Sequence, residues 1–246
     1  MRGRFIVIEG IDGTGKSTLA AQLADALRVR GRQVLLTNEP SKLPSGKLIL
    51  ERLTDKSMKL TAHEWLGMFV VDRRMNIDTI VKPALERGTD VIQDRSFYST
   101  LVYQGEMGIS ASEVLKRHEG WHPTPDLVVI LDIAPRFGLA RTRRRTLGLG
   151  QRFVRQQGQK YIFKDGDAPQ TTEKLNFLQS IRRRYARIKG PHVAHISVRE
   201  HEGEDWRDKS TPELVEEVLH ELDLRTNPRE VIDNKRYADK SGGGDS

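Results

Sequence analysis

The chain has 246 residues, a length suited to one α/β domain of ordinary core size. It contains no cysteine, which excludes disulfides and thiolate metal sites and leaves oxygens as the expected ligands of any metal. The net charge of +7 is local: seven arginines and no acid lie between Arg136 and Arg155, a count equal to the whole excess, and no aromatic-interleaved basic stripe accompanies them, so a nucleic-acid track is not expected. No apolar run is long enough to span a bilayer, and strand-like sequence starts within the first few residues; a cytoplasmic protein is the expectation.

The apolar, β-branched run Phe5–Ile8 leads into Gly10-Ile-Asp-Gly-Thr-Gly-Lys-Ser17, and Thr18-Leu-Ala-Ala-Gln-Leu-Ala then opens an amphipathic helix pattern. Gly10, Gly13 and Gly15 let the backbone around Asp12 and Thr14 curl its N–H groups inward, and the helix that follows adds its positive N-terminal dipole at the same point. From there Lys16 can reach β- and γ-phosphates and the Ser17 hydroxyl can ligate Mg²⁺. A glycine-rich turn before an ordinary helix is the plain alternative. Strand, glycines, Lys-Ser and helix agree on a nucleoside triphosphate instead.

Helix one should stop near Arg30 at Gly31, and strand two, Gln33–Thr37, should end at Asn38-Glu39-Pro40, where proline closes the pairing. A helix start follows at Leu43, with Lys47 and Arg52 on or near its polar side. Ala62 to Arg87 forms a long helical pattern, apolar on several sides, which predicts a largely buried helix with a kink or new turn at Pro83. Within it Phe69 and Arg73 stand four apart on one face, an aromatic platform beside a planar fork that suits a nucleobase. Spacing alone favours a core phenylalanine beside an arginine paired with Asp72.

Strand three, Asp90–Gln93, delivers Asp94-Arg95 at its carboxyl end, the edge where ligands bind in an open parallel sheet. Asp94 could hold Mg²⁺ through water and Arg95 could bridge two phosphates, or the two could be a structural pair. The helix from Ser96 places Thr100, Tyr103 and Gln104 on adjacent turns, polar tips able to read a base or a sugar. A helix over Ser110–Glu119 precedes strand four, Asp126–Asp132, and Pro135 opens the helix that carries the arginine cluster. Residues of about 142–172 are basic and glycine-punctuated, as in a mobile lid whose arginines, Arg143, Arg144 and Arg145 foremost, close over a transferring phosphoryl group. A basic loop without fixed structure is the alternative. Helix Thr171–Ile188, strand five at Ala194–Val198 and helix Thr211–Leu222 complete one domain over residues 1–225. Glu200 to Lys209 reads as a charged surface insertion, and residues 226–246 as a polar tail without fixed structure.

The combination Gly10–Ser17, Glu39-Pro40, Phe69-x-x-Asp72-Arg73, Asp94-Arg95-Ser96-x-x-Ser99-Thr100-x-x-Tyr103-Gln104-Gly105, Pro125-Asp126, Leu131-Asp132 and Arg184-Tyr185 resembles the thymidylate kinases, in the same order, over about residues 4–224. The resemblance implies an α/β P-loop NTPase fold: a five-stranded parallel sheet with helices on both faces and an arginine-rich lid, commonly assembled as a homodimer. It implies Mg²⁺-dependent transfer of the γ-phosphoryl group of ATP to dTMP. By motif position Phe69 stacks on thymine, and Arg73 bonds its carbonyl edge with Thr100 and Gln104. Tyr103 lies near the sugar, Asp12 and Glu39 face the acceptor, Arg95 takes the phosphates and Arg141 stacks on adenine.

Four departures accompany the match. Asn38 and Leu50 stand where arginines are common, Ser96 replaces an aromatic, and Gly13 follows Asp12 where some members carry a basic residue. Lys47 or Lys42 is the expected substitute for the first two, and the lid arginines for the last. A kinase for another nucleotide or nucleoside, and a catalytically weak nucleotide-binding regulator, are the competing readings.

Overall fold

In the computed structural model, residues 2–55, 57, 59–146, 171–202 and 205–224 are described. Five parallel strands, β1 (Phe5–Gly10), β2 (Val34–Asn38), β3 (Asp90–Asp94), β4 (Leu127–Asp132) and β5 (Val193–Ser197), form one sheet in the order β2-β3-β1-β4-β5. Every residue of β1 and β3 is buried, so both faces of the sheet interior are covered; the apolar run Phe5–Ile8 fits this, while β3 takes Asp90, Gln93 and Asp94 inside along with Val91 and Ile92. The order reverses beside β1, which places the turn after that strand at the crevice of the sheet.

The sheet is wrapped by α1 (Lys16–Val29), α2 (Pro44–Thr54), α3 (Ala62–Asn76), α4 (Lys82–Glu86), α5 (Phe97–Glu106), α6 (Ala111–His118), α7 (Pro135–Thr146), α8 (Thr171–Arg187) and α9 (Thr211–Leu224). A single core cluster runs from Phe5 and Leu23 through Val128 to Leu219. Thr61 begins α3 with a capping box: its hydroxyl accepts from the Glu64 N–H while the Glu64 carboxylate accepts from the Thr61 N–H.

As expected, a new turn falls at Pro83: the long pattern from Ala62 runs on through a π-helical turn, Ile77–Val81, into α4, whose first turn carries the proline. Two other expectations change. The same helix is not buried all round: Val71 is 56% and Met75 40% exposed, while the polar Asp72, Arg73 and Asn76 are inside along with Leu66. Glu200–Lys209 is also more than a loose insertion, because β6 (Arg199–Glu202) and β7 (Asp205–Asp208) pair antiparallel across it. Most of the lid, residues 147–170, and the tail from 225 lie outside the described residues.

Candidate functional site

Two half-sites meet at the carboxyl edge of the sheet. The first is the turn after β1, where Gly10, Gly13 and Gly15 take φ of 140°, 84° and 93°, conformations open to glycine and costly for side-chain-bearing residues. Lys16 begins α1 and is 7% exposed, its Nζ donating to the carbonyls of Gly10 and Ile11, each at 3.0 Å. Burial lowers its pKa to about 8; the nearby Arg95 charge pushes the same way, and Asp94, Asp12 and Glu9 oppose. The Thr14 hydroxyl donates to the Ile11 carbonyl at 2.9 Å and stiffens the turn, while Ser17 and Thr18 are exposed at the start of the helix.

Gly13 is required for a second reason. A Cβ there would stand 2.1 Å from the Gly138 carbonyl oxygen, and one on Gly138 would stand 2.6 Å from the Asp12 carbonyl oxygen. This glycine pair lets α7 lie against the loop, and the basic residue that sequence comparison missed after Asp12 has no room to exist. Charge arrives along α7 instead: Arg141, three residues beyond Gly138, donates to the Gly13 carbonyl at 3.4 Å and pairs with Asp208 of β7 at 2.7 Å. The side chains of Arg143, Arg144 and Arg145 lie outside the described residues.

At the end of β3 the Ser17 hydroxyl donates to Asp94 Oδ2 at 2.6 Å, and Asp94 Oδ1 is buried with no hydrogen-bond partner among the described residues. A hydroxyl and a carboxylate side by side, one carboxylate oxygen still unsatisfied, fit the hard oxygen set that Mg²⁺ shares with phosphates and water. Arg95 follows with φ of 70°, a left-handed backbone in a non-glycine residue. The surroundings fix that turn: the Arg95 N–H donates to the Ile8 carbonyl at 2.9 Å and its carbonyl accepts from Gln93 Nε2 at 3.0 Å. Glu9 then accepts from the N–H groups of Ser96 and Ser99, at 2.7 and 3.1 Å, capping α5 from the neighbouring strand. Its remaining bonds come from the Ser99 hydroxyl at 2.7 Å and the Tyr185 hydroxyl at 2.8 Å. Burial raises the Glu9 pKa while the Arg95 charge and these donors pull it back. Sequence reasoning passed over Glu9, whose signal is an acid closing an otherwise apolar strand.

The Arg95 guanidinium pairs with Asp12 at 2.6 Å, donates to the Ser99 hydroxyl at 3.1 Å and lies 5.5 Å from the centre of the Tyr103 ring. Asp94 and Arg95 thus tie β3 to both ends of the loop after β1. The Tyr103 pKa is pushed up to about 12, chiefly by burial.

The second half-site lies between α3 and α5. Phe69 is half-buried beside Trp65, ring centres 6.1 Å apart, and Arg73 one turn on is 1% exposed. The Asp72–Arg73 pairing favoured by spacing does not form, because neighbours on a helix point about 100° apart. Asp72 instead accepts from the Ser41 N–H and the Ser45 hydroxyl, each at 2.7 Å, while Arg73 turns to Glu39, its Nε 2.8 Å from Oε2. Glu39 is 3% exposed and also accepts from Gln93 at 2.8 Å, so it stands behind Arg73 and not at a surface. Burial pushes its pKa up to about 7 against the pull of Arg73. Arg73 further donates to the Thr100 hydroxyl at 3.0 Å, and Thr100 and Gln104 are both buried. The Asn38 amide donates to the Pro40 carbonyl at 2.5 Å, Leu50 is half-buried, and Lys42 and Lys47 are exposed.

The thymidylate kinase family model matches residues 8–204. Thymidylate kinase of Xanthomonas euvesicatoria pv. vesicatoria is 37% identical over 197 residues, 79% of this chain and 77% of that one. Its counterpart from Desulfotalea psychrophila is 33% identical over 195 residues, 79% of this chain and 86% of that one. Among solved structures, thymidylate kinase from Ehrlichia chaffeensis superimposes with a TM-score of 0.64 at 24% identity, over 89% of this chain and 98% of that chain. Thymidylate kinase from Candida albicans gives 0.67 at 21% identity, over 94% and 99%. At these identities the two structures establish likeness of fold.

Proposed function

The chain belongs to the thymidylate kinase family and moves the γ-phosphoryl group of ATP to dTMP, and from that premise we propose how its residues divide the work. The observation that carries the division is the pair of short contacts at 2.6 Å, Ser17–Asp94 and Asp12–Arg95, which ties the strand end to the phosphate loop. The backbone of Gly10–Thr18 cradles the donor phosphates, Lys16 holds the transferring group, and Arg141 flanks adenine. Ser17 and Asp94 would hold Mg²⁺, which would supply positive charge to the donor phosphates when bound. Phe69, Arg73, Thr100 and Gln104 take the thymine, Tyr103 and Asp12 the sugar side, and Arg95 the acceptor phosphate, with Glu39 supporting Arg73. No general base is needed, because the acceptor is a phosphate oxygen with a second pKa of about 6. Rate comes from alignment and from cancelling repulsion between two anions. A coupled assay of ADP release across dTMP, dUMP, dGMP, dCMP and thymidine tests the acceptor. Turnover should be greatest with dTMP, and a preference for a purine or for thymidine would refute the assignment of the pocket.

Part of the catalytic charge sits on the lid, about residues 142–172. The steric closure of Gly13 by Gly138 supports this, since it bars a basic side chain at position 13, beside Asp12. Replacing Arg143, Arg144 and Arg145 together with glutamine should lower kcat by about 10²-fold while the KM for dTMP moves by less than about fivefold. An unchanged kcat would return the missing charge to another element. The enzyme works as a homodimer on this reading. Val71 and Met75, four apart on one face of α3, are exposed, as is Leu48 of α2 at 43%, and a partner would cover such apolar groups. Sedimentation at micromolar concentration as a 28.0 kDa monomer would rule it out.

A further inference from the structure

His118, at the end of α6, stands outside every role given so far, yet it is fully buried and touches the arginine assigned to the base. Its Nδ1 lies 2.6 Å from the Val114 carbonyl oxygen and its Nε2 lies 2.7 Å from Arg73 Nη1. A carbonyl oxygen only accepts and a guanidinium nitrogen only donates. The imidazole is therefore neutral, with its proton on Nδ1 and its lone pair on Nε2 aimed at Arg73. Burial, reinforced by the Arg73 charge, lowers the pKa of His118 to about 3, in keeping with that tautomer.

Arg73 has five N–H bonds to give. Nε–H goes to Glu39, the two on Nη2 go to Glu39 and Thr100, and one on Nη1 goes to His118. One N–H on Nη1 is left without a partner among the described residues. We propose that His118 is a positioning residue for acceptor recognition: by accepting one Nη1 proton it orients the other toward the pyrimidine carbonyl. This rests on the assignment of Arg73 to the base. The ring is held for the task, with Phe97 and Trp121 ring centres 5.5 and 5.3 Å away and the Val114 carbonyl fixing its rotation. No other residue of α6 reaches Arg73 by a hydrogen bond among the described residues, so the helix acts on the site through this one side chain.

Full-length variants test it in steady-state kinetics with dTMP as the varied substrate: His118→Met, which fills the volume with at most a weak acceptor, His118→Gln, whose Oε1 can accept near the place of Nε2, and Arg73→Ala as the reference. With Met the KM for dTMP should rise about tenfold and kcat fall less than threefold, the KM for ATP staying within twofold. Gln should bring the KM for dTMP back to within about threefold of the parent. A Met variant with parental KM, or a Gln variant as impaired as Met at equal Tm, overturns the proposal while a raised KM in Arg73→Ala leaves the base pocket standing. If Arg73→Ala leaves the KM unchanged, the pocket assignment and the proposal fall together. His118→Leu serves as a second apolar variant; if Met and Leu both fail to fold while Gln folds, the bond serves stability and the proposal is overturned.

Discussion

Alanine in place of Lys16 lowers kcat for phosphoryl transfer to dTMP by about 10²–10³-fold, with Tm close to that of the parent. The side chain is spent on two backbone carbonyls of its own loop, Gly10 and Ile11. Losing those bonds leaves the Ile11 carbonyl still bonded to the Thr14 hydroxyl and takes no apolar side chain out of the core, so the loss is chiefly chemical. A positioned cation in a water-poor site contributes about 3–4 kcal/mol to the stabilisation of developing charge, as measured for single preorganised donors. The pH profile carries the same residue. Because burial depresses its pKa to about 8, Lys16 is charged below that value and neutral above it in the free enzyme. The parent should therefore lose kcat/KM for ATP as pH rises through about 8, since that parameter reports groups of the free enzyme. Lys16→Arg, charged at all accessible pH, should lose that basic limb whatever its absolute rate. More than a tenth of parental kcat in the alanine enzyme would mean that the charge is supplied from elsewhere, and an unchanged limb in the arginine enzyme would mean that another group titrates.

The second large effect is expected at Arg95. Its guanidinium is held at once by Asp12 and Ser99 and packs over Tyr103, a planar placement that an ammonium group cannot reproduce. Arg95→Ala should cost about 10²–10³-fold in kcat and in kcat/KM alike, the pattern of an interaction made in the transition state, and Arg95→Lys should recover less than tenfold of it. The backbone gives an independent readout. With φ at 70°, alanine keeps the left-handed strain and glycine removes it, so Arg95→Gly should unfold in urea about 1 kcal/mol later than Arg95→Ala while being equally inactive. Equal stability of the two would show that the turn relaxes when the guanidinium is gone, and full rescue by lysine would reduce Arg95 to a point charge.

Much of the frame was legible in the residues because it rests on local rules. Apolar runs predicted β1 and β4, the short stretch Asp90–Gln93 ahead of Asp94-Arg95 predicted β3, Gly31 and Pro135 marked a helix end and a helix start, and the glycines with Lys16 and Ser17 marked the phosphate loop. All of these occur within a residue or two of the expected positions. Order along the chain also carried the family, since the motifs around Glu39, Arg73, Asp94 and Gln104 recur in a fixed sequence. Periodicity failed where a helix hides polar groups for a purpose: Asp72, Arg73 and Asn76 are inside while Val71 and Met75 face out. An apolar count cannot see that, because the pairing partners, Ser41 and Glu39, come from a distant loop.

Sequence by itself determined the parallel α/β architecture, the triphosphate loop and the kinase family, because each depends on spacing within a few residues or on motif order. Tertiary structure alone decided who meets whom across the fold. It turned Glu39 and His118 toward Arg73, brought Glu9 under the Asp94-Arg95 turn, and closed Gly13 against Gly138 so that no side chain fits at position 13. These contacts join residues from different elements, tens to more than a hundred positions apart. Their energies come from burial and fixed geometry, which exist only once the sheet has brought its strand ends together.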